Sequence, residues 1–573
     1  MDDFKYRIIH KALCDNGYRR VGVILGTPKV SYQAGIIHAG KEFKIEIQVD
    51  FETVCEFIKL PDVFILELPE GVPKRMPHIE ANQRLCYLDK DAYYLDPFKP
   101  QESLNLLLKQ INQVLKEIAT LEPSEVAHEH AFEFTAYWGA SDRVFLASLD
   151  EQGLVYKYKR LNFHKNQTVT EWVYLSRDDL PFKSSWLSSV PGLSEQSSKP
   201  TNGVFVKSEK DPLIEKGIKW PPQDFKEFFT WFRRTDSNAA KTLLDLVKKT
   251  FKQRMLFVFV QFNGEHTIGF TLSKTDYGNL AITPSIHQDK SDRFLKALYS
   301  KRMIEPILRL VCENASQEFV LKRNNQFTLK GKKIILIGCG TIGGYLAHSL
   351  VQNGAGYGQG KLTLYDPDEY SSANIGRHIL GGNYLRQMKS YAMKEFLLRD
   401  YYSYGFNIHA KEQFDHNDIY STSGYDLIID ATGDRQFSTL LSKSWHQAKG
   451  RSPLLIHGWI DAAGGAARAL LDDDKKACFY CVTSGTEEGG ERFKLFKKGA
   501  EPSVIRKSCA GSSYFEFSSN ASMTAAALIL DKAIKGLHKT KQYRFNHVTL
   551  SDDIHHTKNQ DPERLKRCPC CQT

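Results

Sequence analysis

The stretch "IILIGCGTIGG", Ile334 to Gly344, followed by "LTLYDPDEYSSANIGRH", Leu362 to His378, decides how the C-terminal part of the chain is read. An apolar run enters a glycine-rich turn and a helix-compatible segment follows, then a second apolar run ends on an acid. Gly338, Gly340 and Gly343 form G-x-G-x-x-G. The first glycine makes the tight turn, the second lets backbone approach a phosphate, and the third packs helix on strand. The helix N-terminus favours the anion, and Asp366 closes the second strand where its carboxylate accepts from ribose hydroxyls. These residues alone specify a nucleotide, and an NAD(P)-dependent dehydrogenase would carry them too.

The residues beyond Asp366 narrow the choice. Asp368, Asn374 and Arg377 stand in "DPDEYSSANIGRH", Lys389 in "LRQMKSYA", and Asp434 at the end of "DLIIDATGD". Two cations and an amide suit a triphosphate and the charge that builds up during attack on its α-phosphorus. Asp434, at the carboxyl edge of the sheet, is placed to hold Mg²⁺ on phosphate. Hydride transfer requires none of them.

Outward from this segment, strands alternate with helices from "KKIILIG" to "SPLLIHGWI", which predicts a doubly wound, Rossmann-like parallel sheet over 320–573. Residues 134–319 read as a mixed, aromatic-rich linker or docking domain without a chemical motif. Residues 1–133 read as a small α+β domain, with strand patterns at "RVGVILG", "AGIIHAGKEFKIEIQVDF" and "DVFILELPEG" ahead of the amphipathic "QESLNLLLKQINQVLKEIATL". A chain of 573 residues holds several such cores.

Charge is mixed along the chain, 77 basic against 67 acidic residues, with no basic block interleaved with aromatics, so a solvated surface is expected and not nucleic-acid binding. No apolar run is long enough to span a membrane, and "MDDFKYRIIH" lacks a signal peptide's pattern, so the expectation is a cytoplasmic protein.

In that compartment the 11 cysteines are reduced, and their positions carry the meaning. Cys478 with Cys481 and Cys568 with Cys571 form two C-x-x-C knuckles suited to one tetrahedral, structural Zn²⁺, with Cys570 as the alternative fourth ligand. Cys509 lies beside Arg506 and Lys507, which would lower a thiol pKa and let a thiolate attack an acyl-adenylate. Cys339, inside the glycine loop, reads as a packed small residue.

The set Gly338, Gly340, Gly343, Asp366, Asp368, Asn374, Arg377, Lys389 and Asp434 resembles the adenylating fold of ThiF, MoeB and the ubiquitin-activating enzymes. That resemblance implies ATP·Mg²⁺-dependent adenylation of a protein C-terminal carboxylate. This chain departs from it at Gly376-Arg377-His378, where many relatives have Arg-Gln, and Arg323 is the nearest match to an arginine that relatives carry before the first strand. Cys86, in "QRLCYLDKDAYYLDPF", with His78 and Asn82 upstream, resembles the acceptor loop of the ubiquitin-conjugating fold. Together the two ends resemble the bacterial conjugating–activating fusion enzymes of CBASS antiphage operons. The resemblance implies acyl transfer to Cys509, then Cys86, then a target lysine. It also implies a cGAS/DncV-like nucleotidyltransferase as substrate and a homodimer. A sulphur-carrier adenylyltransferase of the MoeB or ThiF kind is the alternative, which needs no Cys86; a binding-only scaffold is another.

Overall fold

The computed structural model describes residues 3–572 apart from 52–58, 71, 73–76, 81, 89–91, 122–133, 141, 147–151, 163–166, 177–192, 196–200, 213, 215–217, 265, 283–292, 325–326, 402–404, 449–452, 486–491, 501–503, 506–513 and 516. The chain divides into two compact units, 1–175 with 196–314, and 176–195 with 315–573.

The first unit contains two sheets with separate cores. In the N-terminal one, helix α1 (Asp3–Asp15) precedes an antiparallel meander of β1 (Arg19–Val23), β2 (Lys29–His38), β3 (Lys41–Asp50) and β4 (Asp62–Glu67), and α2 (Pro100–Thr120) returns over it. Phe43, Ile45, Ile47 and Val49 alternate along β3 and are buried with Leu104, Leu107, Ile111 and Leu115 of α2, so one sheet face and one helix stripe make the core. Ile9 and Leu13 bring α1 into the same core.

The second sheet is built on β5 (Asp142–Leu146), β6 (Gln152–Asn162), β7 (Gln167–Ser176), β8 (Thr201–Ser208), β9 (Met255–Phe262), β10 (His266–Ser273) and β11 (Leu308–Asn314), in the order β7-β5-β11-β10-β9-β8-β6. Between β8 and β9 lie α3 (Phe225–Thr235) and α4 (Ser237–Thr250), capped by the carboxylates of Asp224 and Asp236. The aromatic richness seen in the sequence is the packing of Phe225, Phe228, Trp231 and Phe232 of α3 onto Val258, Val260 and Phe262 of β9.

In the second unit β12 (Lys333–Ile337), α5 (Thr341–Gln352), β13 (Lys361–Tyr365), α6 (Lys389–Tyr401), β14 (Ile408–Lys411), β15 (Leu427–Asp430), α7 (Arg435–Gln447) and β16 (Leu454–Asp461) form the expected parallel array. Two antiparallel strands, β17 (Ala466–Asp472) and β18 (Phe545–Thr549), extend it to the order β14-β13-β12-β15-β16-β17-β18, with α8 (Ser519–Leu537) between them in sequence. The alternation of strands with helices did not announce those two, because a hairpin partner needs no crossover helix. Ile334, Leu336, Leu362 and Ile429 face one helix layer, while Ile335, Ile337 and Ile428 face the other, which is why β12 and β15 read as continuous apolar runs. The strand order reverses between β12 and β15, and their carboxyl ends are the crevice where such sheets bind ligands.

Candidate functional site: a nucleotide crevice, a thiol cluster and an exposed cysteine

At the crevice, Gly338 adopts φ +90° and its Cα abuts the Ala431–Thr432 backbone: a Cβ there would stand 2.9 Å from it. Gly343 is closer still, since a Cβ would fall 1.8 Å from the Gly338 carbonyl oxygen. Gly340 caps α5, so the first free amides of that helix border the loop. Cys339 is fully buried, and burial pushes its thiol pKa up, in line with a packing role.

Asp366 is 5% exposed and both its oxygens are engaged, Oδ2 by the Cys339 N–H at 2.7 Å and Oδ1 by the Asp368 N–H at 2.9 Å. Burial raises its pKa against those bonds and the nearby Lys389 charge. Lys389 begins α6 and donates from Nζ to Asp368 Oδ2 at 2.8 Å. Asn374 accepts from both the N–H and the hydroxyl of Ser371, which builds a tight turn. Arg377 lies 4.9 Å from the Phe517 ring centre and donates to the Ala373 carbonyl. His378 is buried, with Nε2 2.8 Å from the Cys339 carbonyl oxygen. It therefore faces the loop's backbone and is not a free phosphate contact.

Across the crevice Asp434 is the N-cap of α7, its Oδ1 accepting from the Gln436 and Phe437 N–H groups. It stands exposed at the carboxyl end of β15, as expected from its place in the sequence. A cavity of about 380 Å³ opens beside it, lined among others by Gly433, His457, Trp459, Asp461, Arg468 and Phe479. Arg323 lies on the helix Gln317–Asn324 over the Phe319 ring. Cys509, with Arg506 and Lys507, lies outside the described residues.

The knuckle sulfurs of Cys478, Cys481, Cys568 and Cys571 all lie within 4.8 Å of one another. Pairs are separated by 3.6 Å (Cys478–Cys481 and Cys478–Cys568) and 3.7 Å (Cys481–Cys571). Four thiolates around one zinc at its usual bond length stand roughly 3.8 Å apart, so the donor set fits Zn²⁺. The Cys570 sulfur lies 3.3 Å from Ser442 Oγ, and Cys571 is the tail thiol that belongs to the set of four. The Cys478 sulfur and burial push the Cys481 thiol well above its ordinary pKa, so a cation is what would make these groups thiolates.

In the first unit Cys86 is exposed between buried Leu85 and Tyr87. The alternation arises because the segment runs along β4, with Leu85 N–H on the Val63 carbonyl and Ile65 N–H on the Gln83 carbonyl. His78, at φ +66°, accepts the Cys86 N–H on its carbonyl oxygen at 2.8 Å. Asn82 closes its own turn by accepting the Arg84 N–H.

A model of the ThiF family matches residues 313–570, and one of prokaryotic E2 family B matches residues 28–147. The chain joins a prokaryotic E2 domain to a ThiF domain. It is 28% identical over 551 residues, 90% of this chain and 89% of the relative, to the ATP-dependent ubiquitin transferase-like protein Cap2 of Escherichia coli (strain TW11681). It is 26% identical to the protein of that name from Vibrio cholerae, over 90% and 89% of the two chains. Among solved structures, E. coli MccB with ATP aligns at 19% identity and a TM-score of 0.32 over 44% of this chain and 69% of that one. The pair of domains is that of an E1/E2-like enzyme.

Within the ThiF domain a buried network has no counterpart among the sequence motifs. His457 Nδ1 donates to Asp430 Oδ2 at 2.8 Å, and its Nε2 stands at an ion-pair distance of 3.6 Å from Asp472. Asp472 also accepts from His446, Ser442 and the Phe479 N–H, and Asp430 from Ser438 and Thr432. The network thus runs from the turn that bears Asp434 to the Cys478–Cys481 knuckle.

The thiol assignment gives a direct test. Cys568→Ser or Cys571→Ser should lower bound zinc from about one ion per chain toward none, while Cys570→Ser retains it, as read by metal analysis of the purified protein. Retention in Cys571→Ser together with loss in Cys570→Ser would reverse the assignment.

Proposed function

We propose that the ThiF domain adenylates the C-terminal carboxylate of a protein partner and that the E2 domain passes the acyl group to an amine. A carboxylate oxygen attacks the α-phosphorus of ATP and pyrophosphate leaves. A Cys509 thiolate then attacks the acyl carbon and releases AMP, and Cys86 takes the acyl group by thioester exchange. A lysine amine finally attacks the Cys86 thioester and frees the thiol.

The observation that carries this reading is the grouping of Asp366, Asp368 and Lys389 around the glycine loop, whose Gly338 abuts the Ala431–Thr432 backbone that leads to Asp434. Gly338, Gly340 and Gly343 would hold the phosphates, Asp366 the ribose, and Arg377, Lys389 and Asn374 the charge of the triphosphate. Mg²⁺ bound at Asp434 would neutralise pyrophosphate as it departs. The 380 Å³ cavity beside Asp434 supplies room for an extended C-terminal tail. Exposure of Cys86 gives a second acceptor that a sulphur-carrier adenylyltransferase would not require.

The separate cores support three domains, 1–133, 134–319 and 320–573. The resemblance to CBASS fusion enzymes proposes a cGAS/DncV-like nucleotidyltransferase as the activated partner, conjugated in antiphage defence by a cytoplasmic homodimer. Among the described residues no helix is long and apolar enough to cross a membrane.

Incubation with ATP, Mg²⁺ and the partner should give a reductant-sensitive adduct. Cys509→Ala should abolish it, and Cys86→Ala should leave it stalled on Cys509, as read by gel shift and peptide mass. An adduct indifferent to both changes refutes the relay. Nicotinamide dinucleotide binding without ATP–pyrophosphate exchange selects the dehydrogenase instead.

A further inference from the structure

His378 follows Arg377 directly and is buried, and the surroundings of its ring define what it does. The Leu380 N–H donates to Nδ1 at 3.0 Å, so Nδ1 bears no proton. The neutral ring then carries its proton on Nε2, which donates to the Cys339 carbonyl at 2.8 Å. Burial, with the Lys389 charge, lowers the His378 pKa and keeps this form at neutral pH.

Both ends of the ring are therefore used. One reads the backbone three residues beyond Arg377, and the other holds Cys339, between the first two glycines of G-x-G-x-x-G. The ring also lies against the first turn of α5, since a Cβ on Gly344 would stand 2.8 Å from it, and it meets Tyr370 edge-on at 5.3 Å. Upstream, the His378 N–H donates to the Asn374 carbonyl at 3.0 Å, so the turn that carries Arg377 is anchored at the same residue. Arg377 and His378 part company here, the guanidinium lying over Phe517 and the imidazole in the core.

We propose that His378 is a positioning residue that locks the Arg377 turn and the glycine loop into one register, so that the loop amides and the guanidinium meet the same triphosphate. The proposal rests on the adenylation reading for its consequence, but its first effect is on nucleotide binding, which is measurable apart from any chemistry. Without the Nε2 donor the Cys339 carbonyl is left buried and unpaired, and the loop relaxes away from the geometry phosphate requires.

The full chain with ATP·Mg²⁺ is the probe, using calorimetric Kd and ATP–pyrophosphate exchange with a partner. His378→Ala and His378→Phe should each weaken ATP binding by about tenfold, the effect of one buried hydrogen bond left unmade. His378→Gln should return within about threefold of the parent, because its amide again presents a donor and an acceptor. The KM of the partner should stay unchanged in all three.

If His378→Ala fails to fold, the Phe and Gln variants decide, since Phe fills the space without a donor. Equal ATP affinity in those two, at any level, overturns the proposal, because packing alone would then account for the residue. Binding of ATP by the parent without exchange would sink the adenylation reading and leave the role of His378 to be judged by Kd. A parent that binds no ATP refutes both.

Discussion

Replacing Lys389 with alanine is expected to lower kcat/KM for ATP in pyrophosphate exchange by about 10²–10³-fold, the range found when one preorganised charge-stabilising group is removed. Lys389 Nζ sits 2.8 Å from Asp368 Oδ2, and Asp368 in turn donates its N–H to Asp366. The site therefore presents two carboxylates at the edge where the proposed triphosphate would lie, and Lys389 is the cation paired with Asp368. Removing it deletes an attraction to phosphate and leaves the acids uncompensated, so both terms act against ATP. Because the Lys389 side chain is only 10% exposed while that of Asp368 is 69% exposed, Lys389→Met, which keeps the packed stem, is the control that separates lost charge from lost packing. Adding Asp368→Asn to Lys389→Ala should recover part of the loss, by removing one unpaired charge. A Lys389→Ala enzyme within about threefold of the parent, with a normal melting midpoint, would remove Lys389 from the phosphate site.

The contrast between Lys389 and His457 shows what a sequence discloses about such a site. The glycine loop, Asp366 and Asp368 are readable because they lie on one strand–turn–helix–strand unit, where spacing alone fixes geometry. Asp434 is readable as the end of an apolar run at the sheet's carboxyl edge, although its duty as helix cap is not. Asp430, His457 and Asp472 come from three different strands, one of them antiparallel, and meet only once β15, β16 and β17 are assembled in register. Cys570 and Cys571 are neighbours in sequence, and only the assembled fold shows that Cys570 bonds Ser442 while Cys571 joins the four-sulfur cluster. The omission of α1 has a different origin, since Ile9, Ala12 and Leu13 repeat at helical spacing and the signal was present without a sheet in view to receive it.

The buried network also predicts how stability changes with pH. Burial alone would lower the His457 pKa, but the Asp430 hydrogen bond and the charges of Asp430 and Asp472 hold it up at about 9 from 6.5. Against the same burial, His446 and His457 keep Asp472 well below its usual range, and His457 with Ser438 lowers the pKa of Asp430. A group whose folded pKa is raised contributes its full stability below the unfolded value and loses it as pH climbs to the folded one. The His457 contribution is therefore complete near pH 6.5 and gone by about pH 9. Those of the two acids are complete above pH 3.8 and vanish only in stronger acid. Between these limits the ThiF domain should be at its most stable, and stability should fall along the alkaline limb. In a thermal melt of the whole chain the midpoint of the transition assigned to the ThiF domain should fall between about pH 6.5 and 9. The lost charge lies beneath the turn that carries Asp434, so nucleotide binding should weaken over the same interval even where the domain stays folded. A midpoint that holds or rises across that interval would mean that His457 is neutral in the folded protein, and the two buried carboxylates would then need a different counter-charge.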